Sequence, residues 1–305
     1  LRHHKWPHDL RFFSIKATEN SSTIIPQDSQ SPIVEDDLFV KLSISQGDIV
    51  SIVLAEDTSN IPRELMQKLV TLHFSKIPVQ TLDTFFAREW KMVPTGHVSL
   101  AWAFEKGFRL NSPSYERFKR LSDIILSAMI LIIFSPLLLA LPLLIRMGSS
   151  GPAIFRQTRI GRHGRPFTLA KFRTMRTGSD NASRTTGEED NRIIPFGKFL
   201  RKSRLDELPQ LWNVLKGEMS LIGPRAEWAK CVEEYENKIP FYHFRHVVKP
   251  GITGWAQVNY PYGKDETDAE EKLKYDLYYI RHFSFGLDLS ICLKTLYVMI
   301  SARGR

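Results

Sequence analysis

One uninterrupted apolar segment constrains the fold of this chain more than any other feature. From Ile124 to Ile145 the sequence contains no charged residue, and this length is enough to cross the ~30 Å hydrocarbon core of a bilayer. Nothing in the segment is polar enough to face water, as one side of a helix in a soluble protein usually does. The segment therefore predicts a helix embedded in a membrane.

Two features indicate that this helix enters and leaves the membrane on the same side. Cations lie on both flanks, and under the positive-inside rule both flanks prefer the cytoplasm. These cations are Arg117, Lys119 and Arg120 before the segment, and Arg146, Arg156, Arg159, Arg162, Arg165 and Lys171 after it. Ser135 and Pro136 lie near the middle, where Pro136 removes a backbone donor and disfavours a straight helix. The freed carbonyl needs a partner within the protein, and the Ser135 hydroxyl is a candidate. We therefore expect a re-entrant helix over residues 122–146, and a straight crossing is the alternative.

The charge balance narrows the class of partner. The chain has 42 Lys+Arg against 33 Asp+Glu, and its net charge of +9 favours anions such as nucleic acid, phospholipid headgroups or phosphorylated small molecules. It contains no recognisable nucleic-acid-binding module, so a DNA or RNA partner is not expected. Cys231 and Cys292 form neither a disulfide framework nor a zinc motif, which favours a reducing, cytoplasmic setting.

The N-terminal part of the sequence divides into two segments. Residues 1–34 are mostly polar and predict a tail or linker. Residues 35–105 predict a small α/β unit, with a strand over Ile49–Leu54, a helix over Pro62–Phe74 and a parallel strand over Ile77–Leu82. Because no G-x-G-x-x-G follows the first strand, a structural or regulatory role is expected rather than dinucleotide binding. The chain begins at a polar stretch without Met, and we expect it to be a fragment of a longer protein.

The chemistry concentrates in the stretch Arg201–Gln210, where Asp206 and Glu207 are adjacent. Consecutive carboxylates repel each other, so keeping both ionised in a partly buried pocket requires nearby cations or a metal ion. The candidates are Arg201, Lys202, Arg204, Arg225 and Mg²⁺. Pro209 suits the first turn of a helix, whose dipole would favour anions just before it. The spacing leaves two interpretations open, an acidic helix cap and a catalytic pair with an ionised nucleophile.

Longer sequence blocks resemble a known family. Arg201–Arg225, which includes Gly223-Pro224-Arg225, and Lys249–Val258 are similar to the bacterial sugar transferases, also called monotopic phosphoglycosyl transferases. The resemblance covers roughly Arg117–Arg305 and includes Lys171–Met175 and Tyr275–Ile280. Members of this family move a hexose-1-phosphate from a nucleotide sugar to polyprenyl phosphate.

The resemblance implies a fold class for each part of the chain. Residues 115–305 are expected to form a mainly α (α+β), membrane-associated catalytic domain that contains the re-entrant helix. The segment 35–105, with its motif Asp83–Trp90, resembles a truncated form of the Rossmann-like α/β domain of the large exopolysaccharide-type members.

The resemblance also implies a two-step covalent mechanism. Asp206 matches the family nucleophile, which would attack the sugar-linked phosphorus of a UDP-sugar, expel UMP and form an aspartyl phosphosugar. Polyprenyl phosphate would then attack this intermediate. Glu207 matches the residue that holds Mg²⁺, which prefers one or two carboxylates plus phosphate oxygens. Arg201 and Arg225 are expected to bind phosphate oxygens through their planar guanidinium groups.

Three further cations are weaker candidates for phosphate binding. Lys171 and Arg173 suit either substrate phosphate or lipid headgroups. Lys249 stands where Arg is frequent in the family, so a single ammonium replaces a two-pronged donor.

Position and partners follow from the same resemblance. We expect the active site on the cytoplasmic face of the bacterial inner membrane, with UDP-sugar, undecaprenyl phosphate and phospholipids as partners. A non-catalytic membrane scaffold or regulatory protein of the same fold is the alternative function. The residues do not reveal the transferred sugar, and they leave the oligomeric state open, a homo-oligomer included.

Overall fold

The chain folds into two compact units. In this computed structural model of the protein, the described residues are 13–18, 21–26, 33–34, 51–54, 61, 63–75, 77–97, 113–178, 191–260 and 266–300. Leu1–Trp90 forms the first unit and Lys91–Arg305 the second. All the predicted site residues lie in the second unit.

The first unit begins with a three-stranded antiparallel sheet. Its strands are β1 (Phe13–Thr18), β2 (Ser21–Pro26) and β3 (Ile33–Val34), in the order β1-β2-β3. The expected polar tail over residues 1–34 therefore contains regular structure, which corrects that expectation. The reason is the alternation of apolar and polar residues from Phe13 to Thr18, which has the two-residue period of a strand despite the polar composition.

A β-α-β unit follows in the same part of the chain. It consists of β4 (Ile52–Leu54), α1 (Arg63–Phe74) and β5 (Val79–Thr81), and α2 (Leu82–Glu89) comes directly after it. β4 and β5 pair in parallel, while α1 buries Leu65, Leu69 and Leu72 along one face. This confirms the predicted parallel pair. A larger Rossmann-like sheet is not evident among the described residues, since β4 and β5 form a sheet of two strands there.

The second unit begins earlier than the sequence predicts. The division falls after Trp90, whereas the α/β segment was expected to extend to residue 105. The backbone N–H of Val93 donates to the Lys274 carbonyl at 2.9 Å, and the Thr95 hydroxyl donates to Glu270 at 2.6 Å. These contacts attach the stretch after Trp90, which ends in the 3₁₀ turn Thr95–His97, to the second unit.

The second unit is mostly helical with two small sheets, in agreement with the expected mainly α (α+β) domain. Its elements are α3 (Pro113–Ile133), α4 (Ser135–Gly148), β6 (Ile154–Ile160), β7 (Pro166–Phe172), α5 (Gly197–Lys202), α6 (Gln210–Lys216), β8 (Ser220–Ile222), α7 (Ala229–Lys238), β9 (Gly251–Thr253), α8 (Trp255–Asn259), α9 (Glu266–His282) and α10 (Phe285–Ile300). β6 and β7 form an antiparallel hairpin, and β8 and β9 pair in parallel.

α3 and α4 form the bent apolar pair that the sequence predicts. The two helices meet at an angle of 62°, and the pair runs from Pro113 to Gly148, beyond the predicted 122–146 at both ends. The Ser135 hydroxyl donates to the Ile132 carbonyl at 2.7 Å, which is the carbonyl that Pro136 leaves without its helical N–H. Within the described residues no helix could span a bilayer by itself, and only this pair has the length and composition to do so.

The outer surface of the pair is apolar. Ile132, Ile133, Leu139 and Leu143 are 64% to 75% exposed. A continuous apolar surface of this kind is unusual on a monomer in water and marks a contact with lipid or protein. The inner face of α4 instead contributes Leu141 and Ile145 to a core with α5 and the β6-β7 hairpin.

Polar residues in the first turns of α3 attach it to the rest of the unit. Lys119 forms an ion pair with Asp288 at 2.7 Å, and the Tyr115 hydroxyl donates to the same carboxylate at 2.7 Å. Arg120 donates to the carbonyls of Val214 and Leu215 at the end of α6. The apolar pair is therefore held at one end by hydrogen bonds to α6 and α10.

A buried ion pair holds the C-terminal half of the unit together. Arg245 donates to Asp276 at 2.9 Å, to the Arg225 carbonyl at 3.0 Å and to the Tyr242 hydroxyl. Both charged side chains are almost completely buried. Burial raises the pKa of Asp276 to about 6, and the positive charge of Arg245 opposes this shift. The pair thus fixes the backbone beside Arg225.

Removing the cation of this pair should be strongly destabilising. We expect Arg245→Met to lower the free energy of unfolding by about 3–5 kcal/mol, because it leaves a buried carboxylate without its partner. The double variant Arg245→Met/Asp276→Leu should recover part of this loss. Lys238→Met, which breaks the exposed pair with Glu234, is the control and should change stability by less than about 1 kcal/mol. Denaturant unfolding of the purified variants in detergent would measure these differences. An equal loss of unfolding free energy in Arg245→Met and Lys238→Met would contradict the role assigned to Arg245.

Candidate active site

The adjacent carboxylates lie on a single 3₁₀ turn, Leu205–Glu207, between α5 and α6. Arg204 precedes the turn in the left-handed region, with φ of 55°, and redirects the chain out of α5. Leu205 packs against the core shared by α4 and α5, so the turn is anchored from below. Asp206 is only 7% exposed. Pro209 occupies the N-cap position of α6, so the two carboxylates lie on the turn that precedes the helix and not at its cap position.

Glu207 is held between two guanidinium groups. Its Oε1 lies 3.3 Å from Nη1 of Arg225, which donates a hydrogen bond, and its Oε2 lies 3.6 Å from Nη1 of Arg204. Cations therefore surround this carboxylate, as the repulsion between adjacent anions requires. Two of the four cations that the sequence suggests, Arg204 and Arg225, contact it directly.

Lys171 extends from β7 into the same region. Its side chain is largely buried, and its ammonium lies 5.0 Å from the centre of the Phe155 ring on the paired strand β6. In the described part of the chain it has no hydrogen-bond or ion-pair partner. Burial lowers the pKa of Lys171 to about 8, and nearby Arg159, Arg225 and Arg201 act in the same direction while Asp206 opposes them. These influences place Lys171 close to three arginines and Asp206, a charged cluster that forms the candidate pocket.

The two other arginines near the turn have different roles. Arg201 is buried, and its Nε donates to the Thr174 hydroxyl at 3.0 Å, on the side of the pocket that it shares with Lys171. Arg173 uses both terminal nitrogens on the carbonyls of Ser149 and Ser150, at 2.6 and 2.7 Å. Because these bonds close the carboxyl end of α4, Arg173 is a helix cap in this structure, and the geometry does not favour the expected phosphate contact.

Lys249 contacts two parts of the second unit. Burial lowers the pKa of its ammonium, and the nearby positive charge of Arg120 acts in the same direction. The ammonium lies near Gly217, whereas the backbone carbonyl of Lys249 lies beside Gly223, two residues before Arg225. The side chain of Lys249 is therefore directed towards Arg120 on α3, and its backbone borders the loop that carries Arg225.

The loop that carries Arg225 depends on glycine. A Cβ on Gly251 would lie 2.1 Å from the Gly223 nitrogen, and a Cβ on Gly254 would lie 2.1 Å from the Gly223 oxygen. This close approach allows Gly223 N–H to bond to the Thr253 carbonyl and Gly251 N–H to bond to the Pro224 carbonyl, both at 2.9 Å. The backbone leading to Arg225 is therefore fixed against β9, opposite Glu207.

Two residues of the site are not apparent from the sequence reasoning. Arg159, on β6, influences Lys171 and donates to the Ala226 carbonyl at 2.8 Å, although its sequence context shows only a basic flank. Asn213 in α6 accepts from Ala170 N–H and donates to the Thr168 carbonyl, which ties α6 to β7. A polar residue among the apolar Leu211, Val214 and Leu215 was the available signal.

The donor set around Glu207 fits a magnesium ion of the kind that binds with phosphate. Glu207 Oε2 is buried and makes no hydrogen bond in the described residues, although the Arg204 guanidinium lies 3.6 Å from it. No cluster of three or more His, Cys, Asp or Glu side chains that could hold a metal exists in those residues. Mg²⁺ commonly binds through one or two carboxylates, with phosphate oxygens and water completing the octahedron. Such an ion would be held here together with a phosphorylated substrate.

Comparison with known proteins agrees with this geometry. The family model described as "Bacterial sugar transferase" matches residues 114–302, from the start of α3 to just beyond α10. The chain belongs to the bacterial sugar transferase family. The match includes every residue of the pocket and all of the bent pair except Pro113.

Similar proteins in this family have related names. The chain is 43% identical over 213 residues to a UDP-N-acetylgalactosamine-undecaprenyl-phosphate N-acetylgalactosaminephosphotransferase of Aeromonas hydrophila, covering 69% of this chain and 50% of that protein. It is 46% identical over 184 residues to a UDP-glucose:undecaprenyl-phosphate glucose-1-phosphate transferase of Klebsiella pneumoniae, covering 59% and 39%. It is 41% identical over 184 residues to the uncharacterized sugar transferase EpsL of Bacillus subtilis, covering 60% and 88%. The chain thus spans half or less of the first two of these relatives.

The buried charge of Lys171 should lower the free energy of unfolding of this bacterial sugar transferase. The pKa is lowered from 10.5 to about 8, which corresponds to roughly 3 kcal/mol against the charged form. Lys171→Met should therefore raise the free energy of unfolding at pH 7 by up to about 3 kcal/mol. Since the unfolded chain binds more protons between pH 8 and 10.5, the advantage of the variant should shrink across that window.

Denaturant unfolding of both proteins from pH 7 to pH 10.5 measures this difference. The variant should also lose activity if Lys171 serves the site. A variant that is less stable at pH 7, or an advantage that does not change with pH, would show that the ammonium is not penalised by burial.

Proposed function

We propose that this chain transfers a sugar-1-phosphate from a UDP-sugar to polyprenyl (undecaprenyl) phosphate and releases UMP. The observation that carries the proposal is the nearly buried Asp206, adjacent to Glu207 and surrounded by Lys171, Arg225 and other cations. The names of the relatives from Aeromonas hydrophila and Klebsiella pneumoniae support the class of donor and acceptor. They differ in the sugar, so the proposal extends to a UDP-hexose or UDP-N-acetylhexosamine without choosing between them.

The first step forms a covalent bond to the protein. A carboxylate oxygen of Asp206 attacks the sugar-linked phosphorus, the bond from that phosphorus to the bridging oxygen breaks, and UMP leaves with the electron pair. The product is an aspartyl phosphosugar. Surrounding cations offset the negative charge of the diphosphate as it approaches Asp206.

The second step returns the carboxylate to its starting state. A phosphate oxygen of the polyprenyl phosphate attacks the same phosphorus, and the bond from phosphorus to Asp206 breaks. The lipid then carries a diphosphate-linked sugar. Because both steps replace one P–O bond with another, the chemistry needs positioning and charge stabilisation and no redox partner.

The residues around Asp206 have complementary roles in this reaction. Arg225, whose side chain is partly exposed, can bind phosphate oxygens in the fork geometry of a guanidinium group. Arg201 and Lys171 contribute positive charge from the buried side of the pocket. Glu207 would hold Mg²⁺, which when bound neutralises charge on the phosphate oxygens.

The bent pair of α3 and α4 supports a membrane location for this reaction. We infer that the pair enters and leaves the membrane on the cytoplasmic side, since its outer surface is apolar and cations flank it at both ends. The core that joins α4 to Leu205 would then hold Asp206 near the headgroups. At that depth a soluble UDP-sugar and the phosphate of a membrane lipid can both reach the carboxylate.

Release of UMP tests the proposed activity. Purified protein with Mg²⁺ and undecaprenyl phosphate should release UMP from at least one of a panel of UDP-sugars. Asp206→Asn should lower this rate at least about 10³-fold, because an amide is not a nucleophile for this step. Glu233→Gln, on the exposed face of α7, is the matched control and should retain activity.

A covalent adduct distinguishes the mechanism from the overall reaction. Incubation with a UDP-sugar alone should add the mass of a phosphosugar to the wild-type protein and not to Asp206→Asn. An adduct that persists in this variant would exclude Asp206 as the nucleophile. Absence of UMP release from every UDP-sugar would instead favour the non-catalytic membrane scaffold.

The proposed topology has its own measurement. Tags at residue 110 and at the C-terminus should both react with a membrane-impermeant reagent from the cytoplasmic side. The double variant Ser135→Ala/Pro136→Leu restores the missing N–H at the bend and should move part of the population to a straight, spanning form. Reaction of the two wild-type tags from opposite sides would refute the re-entrant arrangement.

A further inference from the structure

A buried carboxylate in the bent pair has no part in the proposed chemistry. Asp123 lies on α3 directly before the apolar segment and is 5% exposed. One of its oxygens, Oδ1, accepts a hydrogen bond from Leu221 N–H at 3.0 Å and another from the Ser220 hydroxyl at 3.1 Å. A polar group at the entrance to an apolar helix is costly to bury without hydrogen-bond partners, so these two bonds indicate the role of Asp123.

Both partners belong to the strand that leads to Arg225. Ser220 and Leu221 start β8, and the Ser220 hydroxyl also accepts from Ile222 N–H at 3.3 Å. After β8 the chain passes through Gly223, whose backbone is fixed against β9, and reaches Arg225 three residues beyond the strand. Asp123 thus binds the start of the short segment from Ser220 to Arg225. At the end of this segment, the Arg225 guanidinium donates a hydrogen bond to Glu207.

The same helix also restrains the element that follows Glu207. Arg120, one turn before Asp123, donates to the carbonyls of Val214 and Leu215 at the end of α6. α6 starts directly after the turn that carries Asp206 and Glu207. Two polar residues one turn apart on α3 therefore bond to two segments of the pocket, Arg120 to the end of α6 and Asp123 to β8.

We propose that Asp123 is a positioning residue, which sets the place of the Arg225 loop relative to the bent helix pair and so aligns Arg225 with the donor phosphates. This role rests on the proposed function, since it acts on the residue that binds the UDP-sugar. It also gives a physical reason for a carboxyl group at this point: one oxygen accepts two hydrogen bonds from β8, which an apolar side chain cannot do.

A double-mutant cycle between Asp123 and Arg225 tests this inference. Asp123→Ala should lower kcat/KM for the UDP-sugar about tenfold, and Arg225→Ala should lower it further. In the double variant the effects should not multiply, because Asp123 acts through the side chain that Arg225→Ala has already removed. Asp123→Asn keeps an oxygen that can accept both bonds and should recover most of the loss.

Tyr115→Phe is the matched control for general loosening of the helix. It removes a hydrogen bond of similar length between α3 and Asp288 of α10, a carboxylate that reaches β8 indirectly, through the Tyr279 hydroxyl. It should lower the melting temperature without a comparable loss of kcat/KM. Calorimetric measurement of the binding constant for UDP on the wild type, Asp123→Ala, Arg225→Ala and their double variant gives a second double-mutant cycle. This second cycle does not depend on turnover.

The outcomes distinguish the positioning role of Asp123 from the proposed transferase function. Multiplicative effects of Asp123→Ala and Arg225→Ala in an active wild type would overturn the positioning role alone. An equal loss of kcat/KM in Tyr115→Phe would do the same, because it would assign the effect to the attachment of α3 in general. A wild type that binds UDP with a coupled cycle yet releases no UMP would overturn the proposed function and keep the positioning role, whereas a wild type that neither binds nor reacts would overturn both.

Discussion

Two adjacent carboxylates can stay ionised in a buried turn only where cations surround them, and the architecture of the second unit meets this requirement. Each neighbouring element brings one positive group: Lys171 comes from the hairpin, Arg201 from α5 and Arg225 from the loop after β8. The elements meet at this turn because apolar side chains of α4, α5 and the hairpin form a common core beneath it. The positive charges around Asp206 and Glu207 are thus brought together by the apolar core that α4, α5 and the hairpin share.

The same core connects this pocket to the apolar helix pair. Leu141 and Ile145 of α4 are completely covered by α5 and the hairpin, while the opposite side of the pair stays exposed. Polar anchors from α3 then reach α6, β8 and α10, so the pair is not an independent anchor attached by a flexible link. A reaction between a soluble nucleotide sugar and a lipid phosphate requires such a fixed relation between reactive group and bilayer.

Local sequence patterns predicted the features that depend on neighbouring residues. The bend at Ser135 and Pro136, the parallel strands around α1 and the acidic turn before α6 all follow from backbone chemistry or periodicity within a few residues. The same reasoning overlooked the short strands before residue 34, because polar composition outweighed their alternation. It also grouped cations by motif, which did not distinguish Lys171, in the pocket, from Arg173, at the end of α4.

The sequence by itself determined that this chain contains a bent apolar helix, an adjacent carboxylate pair and the motifs of bacterial sugar transferases. These are properties of consecutive residues, since a missing N–H, a charge pair and a motif are all defined along the chain. Only the tertiary structure decided which cations face Asp206, that Lys249 lies near α3, and that Asp123 is bonded to β8. The physical reason is that these contacts join residues from different elements, such as Asp123 and Leu221, which are 98 positions apart, so their meeting depends on how the elements pack.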